Sequence, residues 1–208
     1  MDTIAELLVV RHGETPWNEQ GRIQGHMDID LNARGRHQAS LLASRLRGCG
    51  VDAIHSSDLV RAASTASILG QSLGLTPSLS PRWRELGLGD LEGQESRVSP
   101  LEFGELISAA ANSVQPLVPG AETFASLEAR LLEGLADLHV RHPGATVCLV
   151  THGGAGKVLM AHLIGLPPGY TNRLSMRGNC GLSKIDFRGG RPQLTLLNDT
   201  SHLAGVPS

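Results

Sequence analysis

The chain has 208 residues, 40% hydrophobic and 18% charged, enough for one domain with a sizeable core and unlike a solvated tail or a coiled coil. Lys and Arg number 18 against 20 Asp and Glu, a formal net charge of −2, so no global basic field exists to condense on nucleic acid or an anionic membrane. The cysteines Cys49, Cys148 and Cys180 are widely spaced without a CxxC pair, which suggests neither a disulfide framework nor a zinc cage and fits a reducing compartment.

The chain starts with Asp2 and Glu6 ahead of a short apolar run, unlike the basic start and longer apolar stretch of a signal peptide, and no run reaches the ~20 residues of a membrane helix. A cytoplasmic protein is the expectation. Residues 7–10 are apolar throughout and end in a Gly-containing turn, the pattern of a buried parallel strand. A helix is expected over 32–47 and a weaker strand over 53–55. Leu59, Ala62, Ala66, Leu69 and Leu73 then step by three and four along one helical face, with Ser57 as the expected N-cap and Arg61 in the first turn. Over 94–120, Pro100, Pro116 and Pro119 interrupt an Ala- and Ser-rich stretch, which reads as an insertion or short helical lid. Phe124, Leu127, Leu131, Leu135 and Leu138 mark another amphipathic helix. A second buried strand follows over 146–150, then a helix over 154–164, weaker strands over 183–187 and 194–197, and a frayed end. Alternating elements of this kind give an α/β fold with a mostly parallel sheet, read as a single domain over 1–208.

In a parallel α/β sheet, ligands gather at the carboxyl ends of the strands. Two strands end alike, one in Arg11-His12-Gly13-Glu14-Thr15 and the other in Thr151-His152-Gly153-Gly154. Each sets a His-Gly pair at a turn into a helix, where free N–H groups can meet an anion. Arg11 and Arg61 could then grip a tetrahedral phosphoryl group bidentately, and Glu85 supplies a carboxylate for proton transfer. His26, His37, His55, His139, His142, His162 and His202 read as structural or solvated. No pair of histidines has HExxH spacing and guanidinium groups repel cations, so no metal and no cofactor is expected. Two glycine-rich runs fail as nucleotide loops: Gly153-Gly154-Ala155-Gly156-Lys157-Val158 lacks the first Gly and the final Ser or Thr of a Walker loop, and Gly87-Leu88-Gly89-Asp90-Leu91-Glu92 lacks the last Gly of GxGxxG.

The run Leu8-Val9-Val10-Arg11-His12-Gly13-Glu14-Thr15 resembles the signature of the histidine phosphatase superfamily in its phosphoglycerate mutase-like branch. The resemblance continues through Trp17-Asn18, Gly21-Arg22-Ile23-Gln24-Gly25, Ser56-Ser57-Asp58-Leu59 with Arg61-Ala62, Arg84-Glu85, Pro119-Gly120-Ala121-Glu122-Thr123, Thr151-His152-Gly153-Gly154 and Asn179-Cys180. It implies a three-layer α/β/α sandwich with His12 as a transiently phosphorylated nucleophile. By the same resemblance, Arg11, Arg61 and His152 would hold phosphoryl oxygens and Glu85 would act as general acid, then base. Asn18 would be a further phosphate contact, Gln24 and Gly25 would form the substrate-side wall, and Gly153 would lie against the substrate.

Phosphatases and mutases of this family share the phosphohistidine. A mutase must exclude water and hold a bisphosphate, which calls for added cations on the substrate side. The 94–118 segment offers Arg97 against Glu95, Glu102 and Glu105. Glycolytic mutases also follow the acid with an Arg-His-Tyr-Gly-like run, whereas Glu85 precedes Leu86-Gly87-Leu88-Gly89. Phosphomonoester hydrolysis is therefore expected, with mutase chemistry second and a noncatalytic phosphate-binding module third, since His12 and Glu85 are both retained. The expected partner is a small phosphorylated substrate, with no nucleic acid and no membrane, and an edge strand leaves a homodimer open.

Overall fold

A computed structural model describes residues 3–95, 115–167 and 170–205. Strand β1 (Glu6–Arg11) pairs in parallel with β4 (Thr146–Thr151), and β4 pairs in parallel with β2 (Ala53–Ser56). The short β3 (Ser78–Leu79) lies parallel beyond β2. On the other side of β1, β5 (Leu182–Asp186) and β6 (Gln193–Asp199) add antiparallel, giving the order β3-β2-β4-β1-β5-β6. Residues 7–10 of β1 are fully buried, because helices cover both faces and leave no wet side for polar alternation.

After the one-turn α1 (Pro16–Glu19), helices α2 (Ala33–Leu46) and α3 (Val60–Leu73) bury Leu42, Leu46, Ala62 and Leu69 against Leu8 and Val10. Helices α4 (Phe124–Arg141) and α5 (Gly153–Leu163) bury Leu127, Leu131 and Leu159 against Leu7 and Val9 on the opposite face. This is the expected three-layer α/β/α sandwich with a mostly parallel sheet. Asn32 caps α2 by accepting the Gly35 N–H at 2.7 Å. β3, with two residues, is too short to carry a period and has no counterpart in the expected elements.

Ser57 is not the N-cap of α3. Its N–H stays in the strand ladder, donating to Val150 O at 3.0 Å, so the helix starts only at Val60. The Val60 N–H is taken instead by Asp28 Oδ1 at 2.6 Å, a through-space cap that local sequence spacing does not reveal. The lid expected over 94–120 falls, for residues 96–114, outside the described residues. Among the described residues no helix is long and apolar enough to cross a membrane.

Candidate active site

The β1–β4 register sets Arg11 opposite Thr151, so His12 and His152 leave the sheet side by side. The His12 N–H donates to Thr151 O at 2.9 Å, and the two imidazole centroids stand 5.2 Å apart. β2 ends next to them and brings Ser57 alongside. Glycine at 13 is required by packing: a Cβ there would stand 2.5 Å from the Gly35 carbonyl oxygen where α2 begins.

His12 is 3% exposed, and its Nδ1 lies 2.7 Å from Gly13 O. A carbonyl oxygen only accepts, so the ring proton sits on Nδ1 and Nε2 keeps its lone pair. Burial, then the charges of Arg61 and Arg11, hold the imidazole well below the ordinary histidine pKa of 6.5 and thus neutral.

Arg11 is anchored through Nη1, which donates to Met176 O at 3.1 Å and to Arg177 O. Its Nε is buried without a hydrogen-bond partner. Among the described residues Nη2 has none either, so one edge of the fork is unsatisfied. Arg61 is 1% exposed; its Nη1 and Nη2 donate to Met27 O and Gly25 O, each at 2.7 Å, and its Nε donates to His152 Nδ1 at 3.2 Å. Burial pushes its pKa down to about 10. Because Arg61 donates to Nδ1, His152 carries its proton on Nε2, 2.9 Å from Ser57 Oγ. Both ring nitrogens of His152 are therefore engaged within the protein.

Glu85 sits over the start of α5. Its Oε2 accepts the Gly154 N–H at 2.9 Å, and Oε1 accepts those of Ala155 at 2.8 Å and Leu86 at 3.0 Å. The loop behind it is held by Arg130 of α4, whose guanidinium donates to the carbonyls of Arg82, Arg84 and Glu85, each at 2.8 Å, and pairs with both oxygens of Glu122, also at 2.8 Å. His26 Nε2 meets the Glu85 carbonyl at 2.7 Å, which gives this histidine a place in the site's scaffold rather than in solvent.

These groups converge on a cavity of about 570 Å³. Arg11, His12, Asn18, Gln24, Gly25, Arg61, Glu85 and Gly153 all line it, whereas His152 stands behind the lining, packed on His12 and Arg61. Asn18 Oδ1 accepts from Thr15 N at 3.1 Å and from Asn179 Nδ2 at 3.3 Å, and Gln24 Oε1 accepts from Thr15 Oγ1 at 3.1 Å. Three further cations also line the cavity, Arg22, Lys157 and Arg177. They come from α5 and from loops outside the 94–118 segment.

The family profile of the histidine phosphatase superfamily (branch 1) matches residues 7–200. The chain belongs to the histidine phosphatase superfamily. A relative named "probable phosphoglycerate mutase GpmB" from Yersinia enterocolitica is 37% identical over 184 residues, covering 88% of this chain and 85% of that protein. Among solved structures, a mycobacterial glucosyl-3-phosphoglycerate phosphatase in complex with VO3 superposes with a TM-score of 0.82 at 32% identity, covering 93% of this chain and 98% of that one. A mutant of the Entamoeba histolytica phosphoserine phosphatase, in complex with phosphoserine, gives 0.81 at 30% identity, covering 95% and 98%. Histidine phosphatases with different named substrates thus share this fold over nearly the whole chain.

Proposed function

We propose that the chain hydrolyses small phosphomonoesters through a phosphohistidine on His12. The observation that carries this reading is one cavity in which the Nε2 lone pair of a buried, neutral imidazole adjoins an unpartnered guanidinium edge of Arg11. Nε2 attacks phosphorus, the P–O bond to the leaving group breaks, and Glu85 gives that oxygen its proton. The Glu85 carboxylate then takes a proton from water as the water oxygen attacks phosphorus, the P–N bond breaks, and inorganic phosphate leaves with His12 neutral again. Arg11 Nε and Nη2 form the fork for two phosphoryl oxygens, joined by the terminal N–H groups of Arg61 that its two carbonyl partners leave over. His152 acts through Arg61, holding it by the Nε–Nδ1 bond. Guanidinium groups and the α5 N-terminus supply the positive field that a metal supplies in other phosphotransferases.

The names of the phosphatase structures favour hydrolysis, and the name of the relative favours mutase chemistry as the second reading. Incubation with 3-phosphoglycerate and 2,3-bisphosphoglycerate separates them. Release of free phosphate is the expected result, unaffected by excess chelator. Interconversion of the phosphoglycerates without phosphate release would establish the mutase instead. The reading carries with it a small phosphorylated partner, in place of nucleic acid or membrane, and a cytoplasmic setting consistent with three free cysteines. The edge strand β6 leaves a homodimer open.

Gly154 gives a further test. A Cβ at this position would collide with Glu85 Oε1. Gly154→Ala is therefore expected to displace the carboxylate and lower kcat by about 10²-fold, the scale of losing a positioned proton donor. KM should move far less. A variant with wild-type kcat would show that Glu85 need not rest on α5.

A further inference from the structure

We propose that Asn198, on the last strand and not among the residues that line the cavity, is a positioning residue for the phosphoryl grip: its carboxamide fixes the 176–181 loop that orients Arg11 and the end of β1. The inference rests on the hydrolase reading for what the loop serves and on the packing of β6 against that loop for how it is held.

The loop grips Arg11 at both ends. Carbonyls 176 and 177 accept from the guanidinium, while in the main chain the Cys180 N–H donates to Arg11 O at 2.9 Å and Gly181 O accepts the Arg11 N–H at 3.3 Å. Asn179 Nδ2 extends the contact to His12 O at 3.0 Å. The loop precedes β5 and belongs to no helix or strand, so no regular ladder fixes it and other partners must.

Those partners come from β6. Between the pairs Leu182–Asp199 and Lys184–Leu196, β5 advances two residues and β6 three, so β6 carries a bulge at 197–198. Asn198 has a φ of 46° and Cys180 a φ of 53°, and among the described residues these are the two non-glycine residues with left-handed backbone. Asparagine tolerates that region, whereas cysteine adopts it only where its surroundings impose it. The Asn198 N–H donates to Ser183 Oγ at 2.8 Å, and the next residue, Asp199, pairs with Arg45 at 2.6 Å, which holds the bulge on both sides. The carboxamide of Asn198 then meets both main-chain groups of Gly178. Its NH₂ donates to Gly178 O at 3.3 Å and its oxygen accepts the Gly178 N–H at 3.1 Å, the one orientation that sets donors against acceptors.

The two glycines of the loop fit this reading. Neither Gly178 nor Gly181 has left-handed backbone, so conformational freedom does not account for them. A Cβ at 181 would collide with the Asn198 carboxamide, and one at 178 would stand 2.5 Å from Thr200 Cγ2. The loop is shaped to receive β6.

Asn198→Gly keeps the left-handed backbone without strain and removes the carboxamide. It is expected to weaken calorimetric binding of inorganic phosphate, and kcat/KM for p-nitrophenyl phosphate, by about tenfold each, the scale of one hydrogen bond to a charged group. Deuterium exchange at the Cys180 and Gly181 amides, followed by NMR, should quicken by about tenfold or more. Because Asn198 acts through Arg11, the same substitution made in Arg11→Lys should lower kcat/KM by less than about threefold. A larger loss in that background overturns the proposal, and so does unchanged amide exchange. A folded Asn198→Gly chain with phosphate affinity and kcat/KM within about twofold of the parent overturns it as well, even with a lower Tm, since the carboxamide would then serve stability alone. If the parent chain hydrolyses no phosphomonoester, the hydrolase reading fails, while phosphate affinity and amide exchange still decide the role of Asn198.

Discussion

Replacing His12 by alanine is expected to lower hydrolysis of p-nitrophenyl phosphate by about 10³-fold or more, as removal of a covalent nucleophile does elsewhere. No neighbouring imidazole can take over. His152 is 5.2 Å away by ring centroid, but its two nitrogens are tied to Arg61 Nε and Ser57 Oγ. The anion grip should survive, because Arg11 is anchored by carbonyls 176 and 177 and Arg61 by carbonyls 25 and 27, none of which depends on the His12 ring. Inorganic phosphate is therefore expected to bind the variant within about fivefold of the parent, about 1 kcal/mol. The far-UV spectrum should be unchanged, with a stability cost of about 1–3 kcal/mol for the lost buried ring. Acid-labile, alkali-stable phosphoryl label should accumulate on the parent chain in a rapid quench and be missing from the variant. Substantial residual turnover with a folded variant would remove His12 from the nucleophile role.

The part of this site that was legible in the sequence is the part carried by local pattern. Buried strands β1 and β4 betray themselves by continuous apolar runs that stop at Gly turns, so Arg11, His12, Thr151 and His152 fall at strand ends by inspection. Arg61 follows from helical spacing. Glu85 sits on an irregular loop, and periodicity says nothing of where that loop goes. Its position depends on Arg130, which belongs to the polar side of α4 and reaches three carbonyls that lie 48, 46 and 45 residues away in sequence. Such bonds have no period and leave no one-dimensional trace. Ser57 misled for a related reason: Ser before a helix is an N-cap signal, but here the strand ladder holds it back and His152 claims its hydroxyl. Lys157 sits in a glycine-rich run that does not match a Walker loop, and nothing in the spacing of that run shows that its side chain lines the cavity. The fold, which depends on binary pattern, was read more completely than the electrostatics, which depend on what tertiary packing brings together.

Glu85→Gln is expected to slow alkyl phosphate hydrolysis by about 10²- to 10⁴-fold, the range for losing a general acid. For an activated aryl phosphate, whose phenolate departs without a proton, the loss in kcat/KM, which reports the steps up to phosphorylation of His12, should stay within about tenfold, since the phosphoryl grip is intact. The contrast is needed because the substitution also perturbs structure. The wild-type carboxylate accepts three backbone N–H groups, and glutamine can turn its oxygen toward Leu86 and Ala155 only by pointing its NH₂ at the Gly154 N–H. Leaving that donor unpaired costs about 1–3 kcal/mol and would depress every substrate alike. A proton-transfer role depresses them unequally, in proportion to how badly the departing oxygen needs a proton. The three-donor cradle suits the second half of the cycle as well, because it receives the anion that Glu85 becomes on giving its proton away, and that anion is the base the attacking water requires. Glutamine has no such anionic form, so dephosphorylation of His12 should slow too. Labelled phosphoenzyme should therefore persist longer in Glu85→Gln after a chase with unlabelled aryl phosphate. Equal losses on alkyl and aryl esters, with an unchanged phosphoenzyme lifetime, would reduce Glu85 to a structural tie between its loop and α5.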